Sequence, residues 1–169
     1  VQSPFVSVVL IGLALIAVPA AVCAGIIALI ERTTPRRTSP EGTAGTWKLG
    51  GIAAALGLIL STAILEGLFR VIHSEAVVAF AVPISLVIVL LVGARRARHE
   101  IAGPLALALG GTVGCALYYA VETLVTGVGD GTGLWAVGIL YAWACCGVPL
   151  AVAAVLRIAL RSGRTPRRA

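Results

Sequence analysis

Asparagine and methionine are absent from the 169 residues, and lysine occurs once, as Lys48. Charged residues make up 12% of the chain, about half of the roughly one quarter expected in a soluble domain. Each shortage excludes something. Without Asn there is no acceptor for N-linked glycosylation. With so few charges there is too little polar surface to coat a water-soluble globule. The four cysteines, Cys23, Cys115, Cys145 and Cys146, contain no Cys-x-x-Cys pair, so neither a thioredoxin-like redox motif nor a zinc knuckle is supported. All four lie inside apolar runs, where a small sulfur side chain packs as an apolar group. No serine is accompanied by the His/Asp set that serine hydrolysis needs. The glycine-rich stretch at 125–133 lacks the Lys-Ser/Thr of a phosphate-binding P-loop. No catalytic residue, no metal and no cofactor are expected.

What is present is apolar. Hydrophobic residues account for 59% of the chain and the mean hydropathy is strongly positive. Runs of about twenty apolar residues fit helices that cross a bilayer. The expected fold is all-α: one polytopic membrane helix bundle over residues 1–169, with five transmembrane helices at about 4–30, 49–70, 76–93, 101–121 and 134–156. The first run is too long for a signal-peptide core and no basic segment precedes it, so it reads as a retained helix. Residues 31–48, rich in Pro, Thr and Gly, read as a loop, and residues 157–169 as a basic tail.

The net charge of +6 would suit nucleic acid if it were spread over a face, but it is gathered where apolar runs end. With five spans, the first loop, the third loop and the tail share one side, and together they hold every Lys and Arg except Arg70. The positive-inside rule then places the C-terminus in the cytoplasm and the N-terminus outside. Arg36, Arg37, Arg95, Arg96 and Arg161 are expected at anionic lipid headgroups, and no nucleic-acid partner is expected. The Ala-, Val-, Gly- and Arg-rich composition is what a GC-rich coding sequence tends to give, which suggests a bacterial cytoplasmic (inner) membrane.

Small residues mark the expected helix contacts. Ala106, Gly110 and Gly114 recur every four residues in the fourth span, and Gly57 follows Ala53 at the same spacing in the second. Such faces let helix backbones approach closely, whether within one chain, in a homo-oligomer or against other membrane subunits. Ser61 and Thr62 are expected to bond back to their own helix.

The carboxylate best placed inside a membrane is Glu66, roughly 25 Å from Leu49 along a helix that crosses a core about 30 Å thick. It must pair, protonate or face a wet cavity. Arg70 stands four residues on, so the two can meet on one helix face. Glu122, with Tyr118 and Tyr119, marks the corresponding end of the fourth span. Three functions follow. One is a structural or accessory subunit of a membrane assembly without catalytic activity of its own. Another is a small proton- or cation-coupled carrier or channel using Glu66, Arg70 and Glu122. The last is an intramembrane acid–base enzyme acting on a lipid or isoprenoid.

Overall fold

The computed structural model describes residues 4–33, 41–72, 75–95, 101–126 and 134–162. Within them the chain is helical apart from turn residues Ala94, Arg95 and Ile101. α1 covers Pro4–Thr33. α2 (Glu41–Thr62) runs on through a π-helical segment, π1 (Ala63–Leu68), into α3 (Phe69–Ile72). α4 is Glu75–Gly93 and α5 is Ala102–Thr126. The last rod is α6 (Leu134–Tyr141), a second π-helical segment, π2 (Ala142–Gly147), and α7 (Val148–Ser162).

Among the described residues, four helices are long and apolar enough to cross a membrane: Leu10–Ile30, Gly45–Ile72, Ala102–Glu122 and Ala136–Leu160. A shorter apolar helix covers Phe80–Gly93. The protein is therefore an all-helical membrane protein. Its surface agrees, because Leu13, Val18, Leu29, Ile59, Phe80 and Leu160 all lie more than half exposed, which only a lipid solvent tolerates in such number.

Part of the stretch expected as a loop over 31–48 is helical. Glu31–Thr33 complete the last turn of α1, and the second rod begins at Glu41 rather than Leu49; residues 34–40 lie outside the described residues. Pro40 stands just before Glu41, and a carboxylate in the first turn complements the helix dipole. Nothing from Glu41 to Lys48 forbids a helix, and composition alone hid this. The second rod comprises segments of 22, 6 and 4 residues, about 48 Å at the α-helical rise. The distance counted from Leu49 therefore does not fix the depth of Glu66. Trp47 lies exposed on the first turns of α2. Arg157 and Arg161, expected in a tail, fall within α7.

α5 is the central element, with 61% of its span buried against 11–28% for the other three. Its partners settle the directions of the rods. Going along α2, Gly50 lies against Ala106 and Gly110, Gly57 against Gly111, and Ala54 and Leu58 against Gly114. Both chains ascend together, so α2 and α5 are parallel. α4 descends beside α5: Gly93 meets Leu107, and Leu86 and Leu150 both reach Gly111. The last rod also descends, with Gly138 against Tyr119 and Gly147 against Thr112.

The α2–α5 contact is backbone on backbone. A Cβ at Gly57 would stand 2.6 Å from the Gly111 carbonyl oxygen, and one at Gly110 or Gly114 would overlap the carbonyl oxygens of Gly50 and Ala54. Gly51, by contrast, faces open space, as does Gly25 on α1. The small residues Gly50, Ala53, Ala54 and Gly57 of the second span are used against α5; Ala53 is buried and Ala55 exposed. On the far side of α5, Leu86, Leu90, Ile139 and Leu150 fill the core at 2% exposure or less.

Candidate functional site

The polar side chains gather at one end of the α2–α5 seam. Ala106, Gly110, Gly114, Tyr118 and Glu122 recur every four residues and so form one ridge of α5. The glycines let the helices touch, and Tyr118 begins where α2 turns into π1. The Tyr118 hydroxyl donates to Oε1 of Glu66 at 3.0 Å. The other carboxylate oxygen, Oε2, faces a guanidinium nitrogen of Arg70 at 3.7 Å. Glu122 lies within electrostatic reach of both Glu66 and Tyr118. Glu66, Arg70 and Glu122 are thus gathered at the same end of the bundle.

Burial separates the members. Tyr118 is 7% exposed, whereas the Glu66 and Arg70 side chains are 49% and 79% exposed. The carboxylate is only half enclosed by the bundle, and its contact with Arg70 is long. An exposed pair of this kind contributes little to stability; the phenol is the firmer anchor. Tyr118 itself is braced by Tyr119, edge to face at 5.3 Å between ring centroids. The Tyr119 ring lies against Gly138, where a Cβ would come within 2.5 Å of Cδ1, so the last rod supports the cluster too. Tyr118→Phe keeps this packing and removes one hydrogen bond to a charged acceptor. It is expected to lower stability by about 1 kcal/mol, or roughly 2–4 °C in Tm for a chain of this size, read by thermal unfolding in detergent. Arg70→Ala should change Tm by less.

Deeper along the same seam lies a second group, which sequence reasoning passed over. The Cys115 and Cys146 sulfurs are 3.5 Å apart and both residues are fully enclosed. The expectation that both hydroxyls at 61–62 bond back to their helix holds for Thr62, whose Oγ1 donates to the Leu58 carbonyl at 2.9 Å. It fails for Ser61, whose buried Oγ has no hydrogen-bond partner. The only sequence cue was a serine, a cysteine and a cysteine pair in three separate apolar runs, and nothing in their spacing joins them.

Two cavities among the described residues are apolar. A groove of about 320 Å³ lies between α1 and the last rod, floored by Leu105, Ala108 and Thr112 of α5. A cleft of about 540 Å³ separates α4 from the last rod, with Pro83, Tyr141, Cys145 and Pro149 on its walls. Neither is lined by a carboxylate, and among the described residues no three His, Cys, Asp or Glu side chains are grouped to hold a metal. Of the arginines expected at headgroups, Arg95 is exposed in the turn after α4 and Arg161 falls within α7. Arg36, Arg37 and Arg96 lie outside the described residues, as do His73, Ser74 and His99.

The fold and its polar seam define a small polytopic helix bundle. Comparison with family models, with characterised proteins and with solved structures finds no match.

Proposed function

We propose that this protein is a structural or accessory subunit of a membrane assembly, with no catalytic activity of its own. The observation that carries this reading is the seam between α2 and α5. Carbonyls lie against glycines along it from Gly50 to Gly114, which leaves no room for a polar path between these two helices. The carboxylate a carrier would need is half exposed, hydrogen-bonded to a phenol and facing a guanidinium. The two described cavities are apolar and hold no acid–base pair. A bundle held by close backbone contact suits a partner bound at its surface.

In this reading the chain crosses a bacterial cytoplasmic membrane five times, with the N-terminus outside and the C-terminus in the cytoplasm. Support for the fifth crossing comes from α4. It descends beside α5 and is 19 residues long, about 28 Å at the helical rise, close to the thickness of a hydrocarbon core. The arginine clusters then meet anionic lipid at the cytoplasmic face. On α1, Ala17, Ala21 and Gly25 are exposed on one face, a surface suited to a helix of another subunit or of a second copy.

The test compares wild type with Glu66→Gln, in mild-detergent extracts and in proteoliposomes under a pH gradient. Both forms should migrate as assemblies larger than the 17.2 kDa chain, and neither should pass protons. A monomer whose pH-driven flux disappears in Glu66→Gln would replace this reading with that of a small carrier. Turnover of an added lipid extract, lost in the same variant, would replace it with the enzyme.

A further inference from the structure

We propose that the groove between α1 and the last rod binds one anionic glycerophospholipid, with an acyl chain in the groove and the phosphate held by Arg32 and Arg157. The inference goes beyond the accessory-subunit reading and stands whether or not the chain has protein partners.

The first observation is depth. The groove is walled by Cys23, Ile26 and Ile27 of α1 and by the last rod from Trp143 to Ala151, over a floor from Leu105 to Thr112. The end of α1 therefore lies beside the beginning of α5. The membrane-crossing part of α5 begins at Ala102. At 1.5 Å per residue, the floor runs from about 5 Å to about 15 Å inside that border. Those are the depths of one leaflet in a hydrocarbon core about 30 Å thick. An acyl chain whose headgroup lies at this end of the bundle occupies the same range.

The second observation is charge at that end. Arg32 is exposed in the last turn of α1, about 8 Å beyond Ile27. Arg157 lies on α7, about 9 Å beyond Ala151. Both walls of the groove thus carry an arginine near the level of the first turn of α5. The ion pair found among the described residues, Arg70–Glu66, stands at the opposite end. The Nε of Arg157 is enclosed and has no hydrogen-bond partner. A guanidinium at the membrane border with an unmet donor favours an anion, and phosphate matches its planar fork.

The third observation is size. A volume of about 320 Å³ is near the lower end of sites for small organic ligands, about 300–1,000 Å³. A helix about 10 Å across would displace roughly 800 Å³ over the same 10 Å of length, so a helix of a second copy does not fit within it. An extended hydrocarbon chain is less than half as wide. The cleft beside α4 differs in direction: its walls rise from Ile88 to Phe80 and Tyr141, toward the end that holds Glu66 and Glu122, which repels an anionic headgroup. Only 11% of the α1 span is buried, and a lipid seated in the groove would tie this rod to the last one.

Trp47→Phe and Trp135→Phe leave Trp143, on the groove wall, as the only one of the three indoles. This full-length chain would be placed in phosphatidylcholine bilayers and its fluorescence titrated with phosphatidylglycerol or phosphatidylcholine brominated toward the methyl ends of the acyl chains. Half-quenching should need about thirtyfold less brominated phosphatidylglycerol than phosphatidylcholine. Arg32→Gln and Arg157→Gln should each cut that preference about fivefold and together remove it, whereas Arg95→Gln, at the end of α4, leaves it unchanged. Ala151→Phe fills the groove and should erase the preference; Val152→Phe, at a position 52% exposed, should keep it. Equal quenching by the two lipids in the parent chain overturns the site, whether or not the variants fold. A preference that survives the double arginine variant or Ala151→Phe overturns it too, as general attraction of anionic lipid to a basic surface. An indole that neither lipid quenches, in an assembly of twice the chain mass, would place a second copy in the groove instead.

Discussion

Replacing Gly114 with Leu is expected to separate α2 from α5 and abolish the bundle. A side chain at this position has no space to enter. Its Cβ would overlap the Ala54 carbonyl oxygen and come within 2.8 Å of the Leu58 nitrogen, and both are backbone atoms that no rotamer change can move. The helices must then part along the seam, and in lipid there is no hydrophobic driving force to hold parted helices together. Gly114→Ala makes the same clash with one carbon and should cost about 3 kcal/mol, a fall of roughly 6–12 °C in Tm. Gly51→Ala is the control. Nothing lies within 4 Å of its Cβ, so the gain of about 0.5–1 kcal/mol in helix propensity should stand alone. Gly111→Ala should also be tolerated, since its Cβ would meet only side-chain carbons of Leu150 and Leu86 at 3.4 and 3.8 Å. Thermal unfolding followed by tryptophan fluorescence in detergent reads all four. Equal destabilisation by Gly114→Ala and Gly51→Ala would contradict the seam.

Leu150→Ala should produce the second large effect, about 2–4 kcal/mol. Leu150 is 1% exposed, and its Cδ1 reaches the Gly111 position on α5. Truncation leaves a hole bordered by α5, which is fixed by its seam with α2 and cannot collapse into it. The cost arises from lost dispersion contacts and so survives in lipid, where burial of apolar area counts for little. The same truncation at Val152, which is 52% exposed, should change Tm by no more than about 1 °C.

The apolar runs made the helices legible, because an uncharged twenty-residue stretch leaves the backbone few other ways to satisfy itself in lipid. The spacing of Gly110 and Gly114 pointed to a contact face but not to its partner, since four-residue periodicity names a side of one helix only. Of the candidate site residues, Glu66 and Arg70 were joined by their i,i+4 spacing. Tyr118, the firmest contact of Glu66, could not be: it lies 52 residues away, and a parallel pairing of two rods is invisible without the fold. The first turns of α2 were hidden by their Gly and Thr content, which says loop to a compositional eye although no residue from Glu41 to Lys48 breaks a helix. Ser61 was misread because its buried hydroxyl does not follow the ordinary habit of a membrane serine, bonding to its own backbone.

The topology is the claim on which the functional reading turns, and labelling in intact cells tests it most directly. Arg37→Cys, Arg96→Cys and Val125→Cys would be exposed separately to a membrane-impermeant maleimide, before and after permeabilisation, in a background without Cys23 and Cys145. The account predicts that Val125→Cys reacts in intact cells, while Arg37→Cys and Arg96→Cys react only once the membrane is opened. Labelling of Arg37→Cys and Arg96→Cys from opposite sides would contradict it.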